Sequence, residues 1–384
     1  MEEQGRLLSP GSWTRVNWER LNRLLADNAF QDRYACFDFD DTTSIHGVDS
    51  GLLYTQIQHL RFVMGPEEFP RALAAGIPDL ERPLGVNQAG EAVSSRQVME
   101  DLTADYTWLF RQLERRDPAE LRHTLAFRSF RTKLFWLRKG LEQTFPMEVT
   151  YPWCVYLMAG HRPEELYALG RTAVAYSTRP GGYGRVCFHT PAEHPGSSGL
   201  LSVEVETGVA FPPEMRDLYR ALLANGIQPY IISASPVELV RAANETLRLG
   251  LTDRQIFAMR MKQDAGGRYL PEYDHEGPEG KAYPQTFGPG KAQVIRDYLA
   301  PLHGGRGPVL VCGDGENDMD MMTGWMACGD TRCGLILNHD RSRQAHPRLW
   351  QAAQQAMGDP DGPFLLQGLD KRRGQFRPTQ ATLP

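Results

Sequence analysis

One ten-residue stretch restricts the fold of this chain more than any other: Tyr34-Ala35-Cys36-Phe37-Asp38-Phe39-Asp40-Asp41-Thr42-Thr43. Its apolar start reads as a short buried strand that delivers two carboxylates into a loop. Side chains alternate along a strand, so Asp38 and Asp40 are expected on the same side near its end. Two like charges held that close need a cation, a shared proton or a strong hydrogen-bond network. A strand kept only for packing would not carry them. The stretch predicts a magnesium-dependent phosphoryl-transfer site whose other parts must come from elsewhere in the chain.

The chain has 384 residues, more than one compact core usually holds, so two domains are expected. Residues 1–12 read as a loose arm. Asn17 to Ala29 has helical spacing, with Trp18, Leu21, Leu24 and Leu25 on one face. Val48 to Met64 reads as a helix ending at Gly65-Pro66. From there to about residue 200 the pattern is mostly helical, over 95–116, from Asp117-Pro118 onward and from Pro163 onward. Residues 179–199 are rich in Gly, Pro, Ser and His and read as a loop or hairpin. After about residue 205 apolar strands alternate with helices: 229–232, 256–261, 308–312 and a last short strand at 334–337. That rhythm argues for an α/β fold, a parallel sheet covered on both faces, with ligands outside the carboxyl ends of its strands. The expected organisation is a discontinuous core, 13–46 plus 200–384, with a mainly helical domain, 47–199, inserted into it.

Phosphoryl transfer needs a nucleophile, a proton donor for the leaving oxygen, a divalent cation and fixed donors around the phosphate. Asp38 can attack and form an aspartyl-phosphate. Asp40 can protonate the leaving oxygen and then activate water. Asp314, after the 308–312 strand, can complete a hard oxygen site for Mg²⁺, with Asp318 one turn on supporting it. Lys291 can pair with Asp38 and the phosphate. Ser233, at a strand end, can hydrogen-bond the phosphate, helped by backbone N–H groups such as that of Ala234. Taken singly, each feature is ordinary: a DxD or GDG is turn chemistry, Ser233 a cap, Lys291 a solvated charge. In order along one chain, three at strand ends and one opening a helix, they describe a site.

These motifs, DFDDT at 38–42, the strand ending in Ser233, Lys291 and GDGEND at 313–318, resemble those of the haloacid dehalogenase superfamily of aspartate-nucleophile phosphatases. The resemblance implies a doubly wound, Rossmann-like core and Mg²⁺ bound by the Asp38 carboxylate, the Asp40 carbonyl and Asp314. It implies that Thr42 orders the loop and that Asn317 assists at the phosphate. The insertion then occupies the C1 cap position. Asp41 stands where many members have Gly, a mild change because Asp tolerates unusual backbone angles. Ser233-Ala234-Ser235-Pro236 with GDGEND is similar to the phosphoserine phosphatase branch. More narrowly, the run from Trp18 through DFDDTTS is similar to phosphorylcholine phosphatase-like members.

The resemblance thus implies a phosphomonoester hydrolase acting on a small phosphorylated metabolite, phosphocholine- or phosphoserine-like. A phosphotransferase using the same intermediate, or a binding protein for phospho-ligands on the same fold, remains open. Specificity is expected in the cap. Tyr54, Trp108, Phe127, Phe130, Trp136, Trp153 and Tyr156 could cage a quaternary ammonium or simply pack its helices. Asp49 could face a cationic leaving group. The basic run Arg128, Arg131, Lys133, Arg138 and Lys139 could attract an anion or form a solvated face. His46 could line the entrance or be structural.

A formal net charge of -5 gives no field for nucleic acid or a membrane surface. No apolar run approaches the roughly 18 residues that span a bilayer, and Met1 to Arg6 has no apolar leader region. The six cysteines lack paired spacing and read as reduced, buried thiols. Together these predict a cytoplasmic protein with no nucleic-acid or membrane partner.

Overall fold

A computed structural model describes residues 6–277 and 280–384. Residues 1–5 of the expected arm lie outside the described residues. Residues 6–12 are not loose: Leu8 is buried, its N–H donates to Asn22 at 2.7 Å, and that of Ser9 donates to Asp217 at 2.8 Å.

Seven strands build the central sheet: β1 (Tyr34–Phe37), β2 (Gln228–Pro236), β3 (Ile256–Met259), β4 (Leu310–Gly313), β5 (Cys333–Asn338), β6 (Phe364–Asp370) and β7 (Gln375–Phe376). Their order is β3-β2-β1-β4-β5-β6-β7, all parallel except the β6–β7 pair. The first six follow the doubly wound order, with the switch point between β1 and β4. All four residues of β1 are buried. Ala35 and Phe37 join the apolar cluster on one face of the sheet, while Tyr34 and Cys36 join that on the other. A strand buried on both faces has no polar alternation, as this sequence shows.

The sequence reading misplaced several edges. The 334–337 strand is not the last, because helix Pro347–Gly358, β6 and β7 follow it. The segment read as one strand over 256–261 divides into β3 and the first strand of a hairpin, Met261–Gln263 with Tyr269–Tyr273. The helix expected over 48–64 stops at His59, where Leu60 takes a left-handed conformation, φ 48°, and closes it. Hairpin Gly184–His189 with Ser202–Thr207 runs past residue 200. Besides helix Pro347–Gly358, β6 and β7, the elements without a counterpart in the sequence pattern include hairpin Pro83–Val86 with Ala92–Ser94, helix Phe69–Ala74 and helix Met147–Tyr156.

The rest of the segment between β1 and β2 is mainly helical, through Ser95–Gln112, Leu125–Thr144 and Pro163–Ser177. Its apolar side chains are continuous with one face of the sheet, so Phe130 and Leu134 belong to the same cluster as Phe37. Cys36, Cys312 and Cys333 are buried, but Cys187 and Cys328 are exposed. Among the described residues no helix is long and apolar enough to cross a membrane.

Candidate active site

Parallel pairing of β1 with β4 sets Phe37 opposite Cys312, and the Asp38 N–H donates to the Cys312 carbonyl at 3.0 Å. The loops leaving both strands therefore begin side by side at the switch point. Oxygens of Asp38, Asp314 and Asp318 all lie within 4.8 Å of one another. Lys291 enters this cluster from the short helix Pro289–Val294, fully buried, with its Nζ 2.6 Å from an oxygen of both Asp38 and Asp318. Burial alone would lower the Lys291 ammonium, but Asp318 and Asp38 outweigh it and hold the group protonated. Burial pushes the Asp38 carboxyl up, Asp318 adds to this and Lys291 opposes it.

Asp318 works mainly as a brace. Its second oxygen accepts the backbone N–H groups of Asp314 at 2.9 Å and Gly315 at 3.0 Å. It thereby fixes the loop that presents Asp314. Thr42 donates to the other side of Asp314 at 3.3 Å. Thr43, which the sequence reading passed over, donates to the Asp38 carbonyl at 2.9 Å and contacts the Tyr219 hydroxyl at 2.9 Å.

Asp40 stands apart from that cluster. The alternation argument does not apply to it, because β1 ends at Phe37 and Asp40 lies in the following turn. Its Oδ1 accepts from the Val48 N–H, at the start of helix Val48–His59, which has no side-chain cap of its own. Its Oδ2 accepts from the Ser235 hydroxyl at 2.6 Å. Burial first, then the Asp49 charge, lift its pKa to about 7. An irregular pairing of β2 with β3 between Ser233 and Pro236 accompanies this placement of Ser235. Ser233 itself is fully buried, and its hydroxyl accepts the Ser235 N–H at 3.1 Å. The serine that touches an acid of the site is thus Ser235.

Asp41 has φ 60°, the left-handed conformation anticipated at a position where Gly is common. Burial pushes its carboxyl up, but His339, Arg341 and His46 outweigh that and bring it down to about 2. Arg341, from the segment after β5, bridges Asp41 at 3.1 Å and Asp314. No motif pointed to Arg341. The signal available was only a basic residue shortly after a strand of the sheet.

A cavity of about 580 Å³ opens over these groups. Asp38, Asp40, Asp41, Ala234, Ser235, Asp314, Asn317 and Arg341 line its floor. Asp49, Arg138, Glu142, Phe145 and Tyr151, all from the segment between β1 and β2, complete its lining. Asp49 is not free to meet a cation alone, because Arg138 pairs with it at 2.6 Å and with Glu142 at 2.8 Å. None of the seven aromatics considered for a cage lines this cavity. Phe127, Phe130 and Trp153 are buried in the helical packing, and the Trp153 indole donates to the Leu73 carbonyl at 2.7 Å. The basic run also divides: Lys133 is buried against Asp101 at 3.0 Å, Arg131 lies 3.9 Å over the Phe188 ring, and only Arg138 reaches the cavity. His46 is structural, buried and stacked on Tyr183 with centroids 4.4 Å apart.

No protein-family model matches this chain. It is 29% identical over 184 residues to phosphorylcholine phosphatase from Pseudomonas aeruginosa, covering 43% of this chain and 49% of that protein. The chain thus spans about half the length of the curated relative it matches. A solved structure from Anaerococcus prevotii DSM 20548, a conserved protein of unknown function, superposes with a TM-score of 0.86 at 25% identity. That likeness covers 98% of both chains. The curated similarity and the doubly wound fold support the resemblance drawn from the four motifs.

Proposed function

We propose that this chain is a Mg²⁺-dependent phosphomonoester hydrolase of the haloacid dehalogenase type, acting through an aspartyl-phosphate on a small phosphorylated metabolite. The observation that carries this reading is the unequal treatment of two neighbouring carboxylates. Asp38 is held beside a buried ammonium at 2.6 Å, whereas Asp40 has its pKa near 7 and lines the same cavity. One group suits a nucleophile and the other a proton carrier at neutral pH. A protein that only bound phosphate would not need Asp40.

In this mechanism an Asp38 oxygen attacks phosphorus, a new P–O bond forms and the ester P–O bond breaks. Asp40 gives its proton to the departing alkoxide. Asp40, now ionised, takes a proton from water as the water oxygen attacks the phosphoryl group. Inorganic phosphate leaves and Asp38 is again a carboxylate. Lys291 keeps a positive charge beside Asp38 throughout. The Ala234 backbone and Asn317, which line the cavity, would bind phosphoryl oxygens, whereas Ser233 is fully buried and does not line it.

The donor set suits a hard cation: carboxylate oxygens of Asp38 and Asp314 stand together, and the Asp40 carbonyl would be the third ligand. An Mg²⁺ ion held by these residues would neutralise phosphoryl charge and polarise the phosphorus centre. Asp318 supports the metal site by holding the Asp314 loop.

Residues 47–199 would serve as a cap over the leaving group, with 13–46 and 200–384 as the core. The leaving group would lie against Asp49, Arg138, Phe145 and Tyr151. A charged alcohol of the choline or serine kind suits that lining and agrees with the curated relative's name. Turnover of p-nitrophenyl phosphate with and without Mg²⁺, then of phosphocholine, phosphoethanolamine and phosphoserine, tests the reading. Mg²⁺-dependent hydrolysis with preference for one charged ester is expected. Folded protein that turns over none of them with Mg²⁺ would overturn it.

A further inference from the structure

Away from the catalytic cavity, a second cavity of about 730 Å³ is lined by five arginines, Arg179, Arg216, Arg220, Arg248 and Arg373, and by no acidic residue. In a chain of net charge -5 this is a local reversal of sign. It is assembled from four separate parts of the fold. Arg179 follows helix Pro163–Ser177, and Arg216 and Arg220 lie one turn apart on helix Pro213–Ala224. Arg248 closes helix Val237–Leu247, and Arg373 sits in the turn between β6 and β7.

Elsewhere in this protein arginines are commonly paired, as Arg138, Arg341 and Arg348 are. Among the described residues none of these five makes an ion pair with a carboxylate. Arg179 lies 3.6 Å over the Tyr176 ring, and the buried Nε of Arg216 has no hydrogen-bond partner. Like charges gathered without counter-charge raise the free energy of the folded chain, and Arg216 with Arg220 does so at the i, i+4 spacing. A polyanion relieves that repulsion, and guanidinium forks match phosphate oxygens bidentately. The cavity size is that of a small-molecule site. Ser177, Thr178 and Tyr183 add neutral lining.

We propose that this cavity binds a small molecule bearing two or more linked phosphates, a nucleoside polyphosphate or an inorganic polyphosphate. The site adjoins the catalytic loop without being part of it. Tyr183 stacks on His46, whose N–H donates to Asp41 at 3.0 Å, and Ala210 exchanges backbone hydrogen bonds with Ile45.

Calorimetric titration with tripolyphosphate and with ATP tests this, in an Asp38→Asn background so that neither is hydrolysed. Saturable binding is expected, weakening with rising salt. Arg373→Ala, at an exposed turn, and Arg216→Gln should each raise Kd about tenfold, as for loss of one charge-assisted contact. Arg341→Ala, in the catalytic cavity, should leave Kd within about twofold. Equal binding of both anions assigns the phosphate chain as the recognised group, and tighter binding of ATP assigns a nucleotide. The proposal is overturned if neither anion binds saturably, or if Arg341→Ala weakens binding as much as Arg373→Ala with both variants folded. Either result leaves the phosphatase reading untouched, because that reading is tested by turnover.

Discussion

Asp40 accepts hydrogen bonds from Ser235 and Val48, each of which favours its ionised form, yet burial and the Asp49 charge hold its carboxyl up at about 7. Two consequences follow at this one residue. In the proposed mechanism the proton that Asp40 would deliver to the leaving oxygen is present below about pH 7 and lost above it, so kcat/KM for an alkyl phosphate should fall as pH rises through 7. Asp40→Asn should cost on the order of 10²–10⁴-fold on phosphocholine or phosphoserine, the usual worth of a positioned acid. The loss should be smaller on p-nitrophenyl phosphate, whose phenolate leaves without a proton. An equal loss on both esters in steady-state assays would remove Asp40 from the proton-donor role. The second consequence concerns stability. A carboxyl raised in the folded state binds its proton more tightly there than in the unfolded chain. Its contribution is therefore full below about pH 4 and is lost as pH climbs to about 7. Thermal denaturation of wild type and Asp40→Asn at pH 5 and 7.5 checks this, and the variant should lose less over that interval.

The helix carrying Lys291 shows how tightly an element can be tied to one side chain. It begins at Gly288, φ 51°, and at Gly290 an added Cβ would stand 1.8 Å from the Gln285 carbonyl oxygen. No rotamer relieves a backbone clash, so Gly290→Ala must shift the helix start and the adjacent Lys291. The expected cost is about 1–3 kcal/mol in urea denaturation, with a larger proportional fall in kcat than in substrate affinity. This element was legible from the sequence, as were β1, β2 and β4, because short apolar runs ending in Ser or Asp leave few alternatives. Other elements were not. Helix Met147–Tyr156 supplies Tyr151 and Cys154 to the cavity wall, but Pro152 lies inside it and its apolar residues show no one-sided pattern. The pairing of Asp49 with Arg138 was likewise hidden, since it joins two helices far apart in sequence. The sequence suggests a cation for Asp49 and an anion for Arg138, so it gives no sign that the two pair with each other. Arg341 and the relay from Ser235 to Asp40 depend on loop paths that no local pattern encodes. That Asp38 and Asp314 meet is legible because both follow apolar runs that read as strands, whereas what residues 47–199 add to the cavity depends on tertiary contacts.

At the scale of the whole molecule, the strand order brings Asp38 and Asp314 from distant parts of the chain to one point, beside Asp318. Bringing carboxylates together in a buried place opposes folding, and Lys291 and Arg341 offset only part of that repulsion. A divalent cation at Asp38 and Asp314 should therefore stabilise the native state as well as serve turnover. A ligand that binds only the folded chain stabilises it by RT ln(1 + [L]/Kd), about 2.7 kcal/mol at a hundredfold excess over Kd. Scanning calorimetry in chelator and in saturating Mg²⁺ should show a rise of a few degrees in Tm. Chelator should abolish turnover, and restored Mg²⁺ should return it. In Asp314→Asn the Mg²⁺-dependent increment in Tm should largely vanish, whatever the variant's baseline stability. That increment is the informative quantity, because the substitution also removes a partner of Arg341 and shifts the baseline by an independent route. If Asp314→Asn kept the full increment, the stabilising ion would lie elsewhere, and the pairing of β1 with β4 would not account for the proposed Mg²⁺ site.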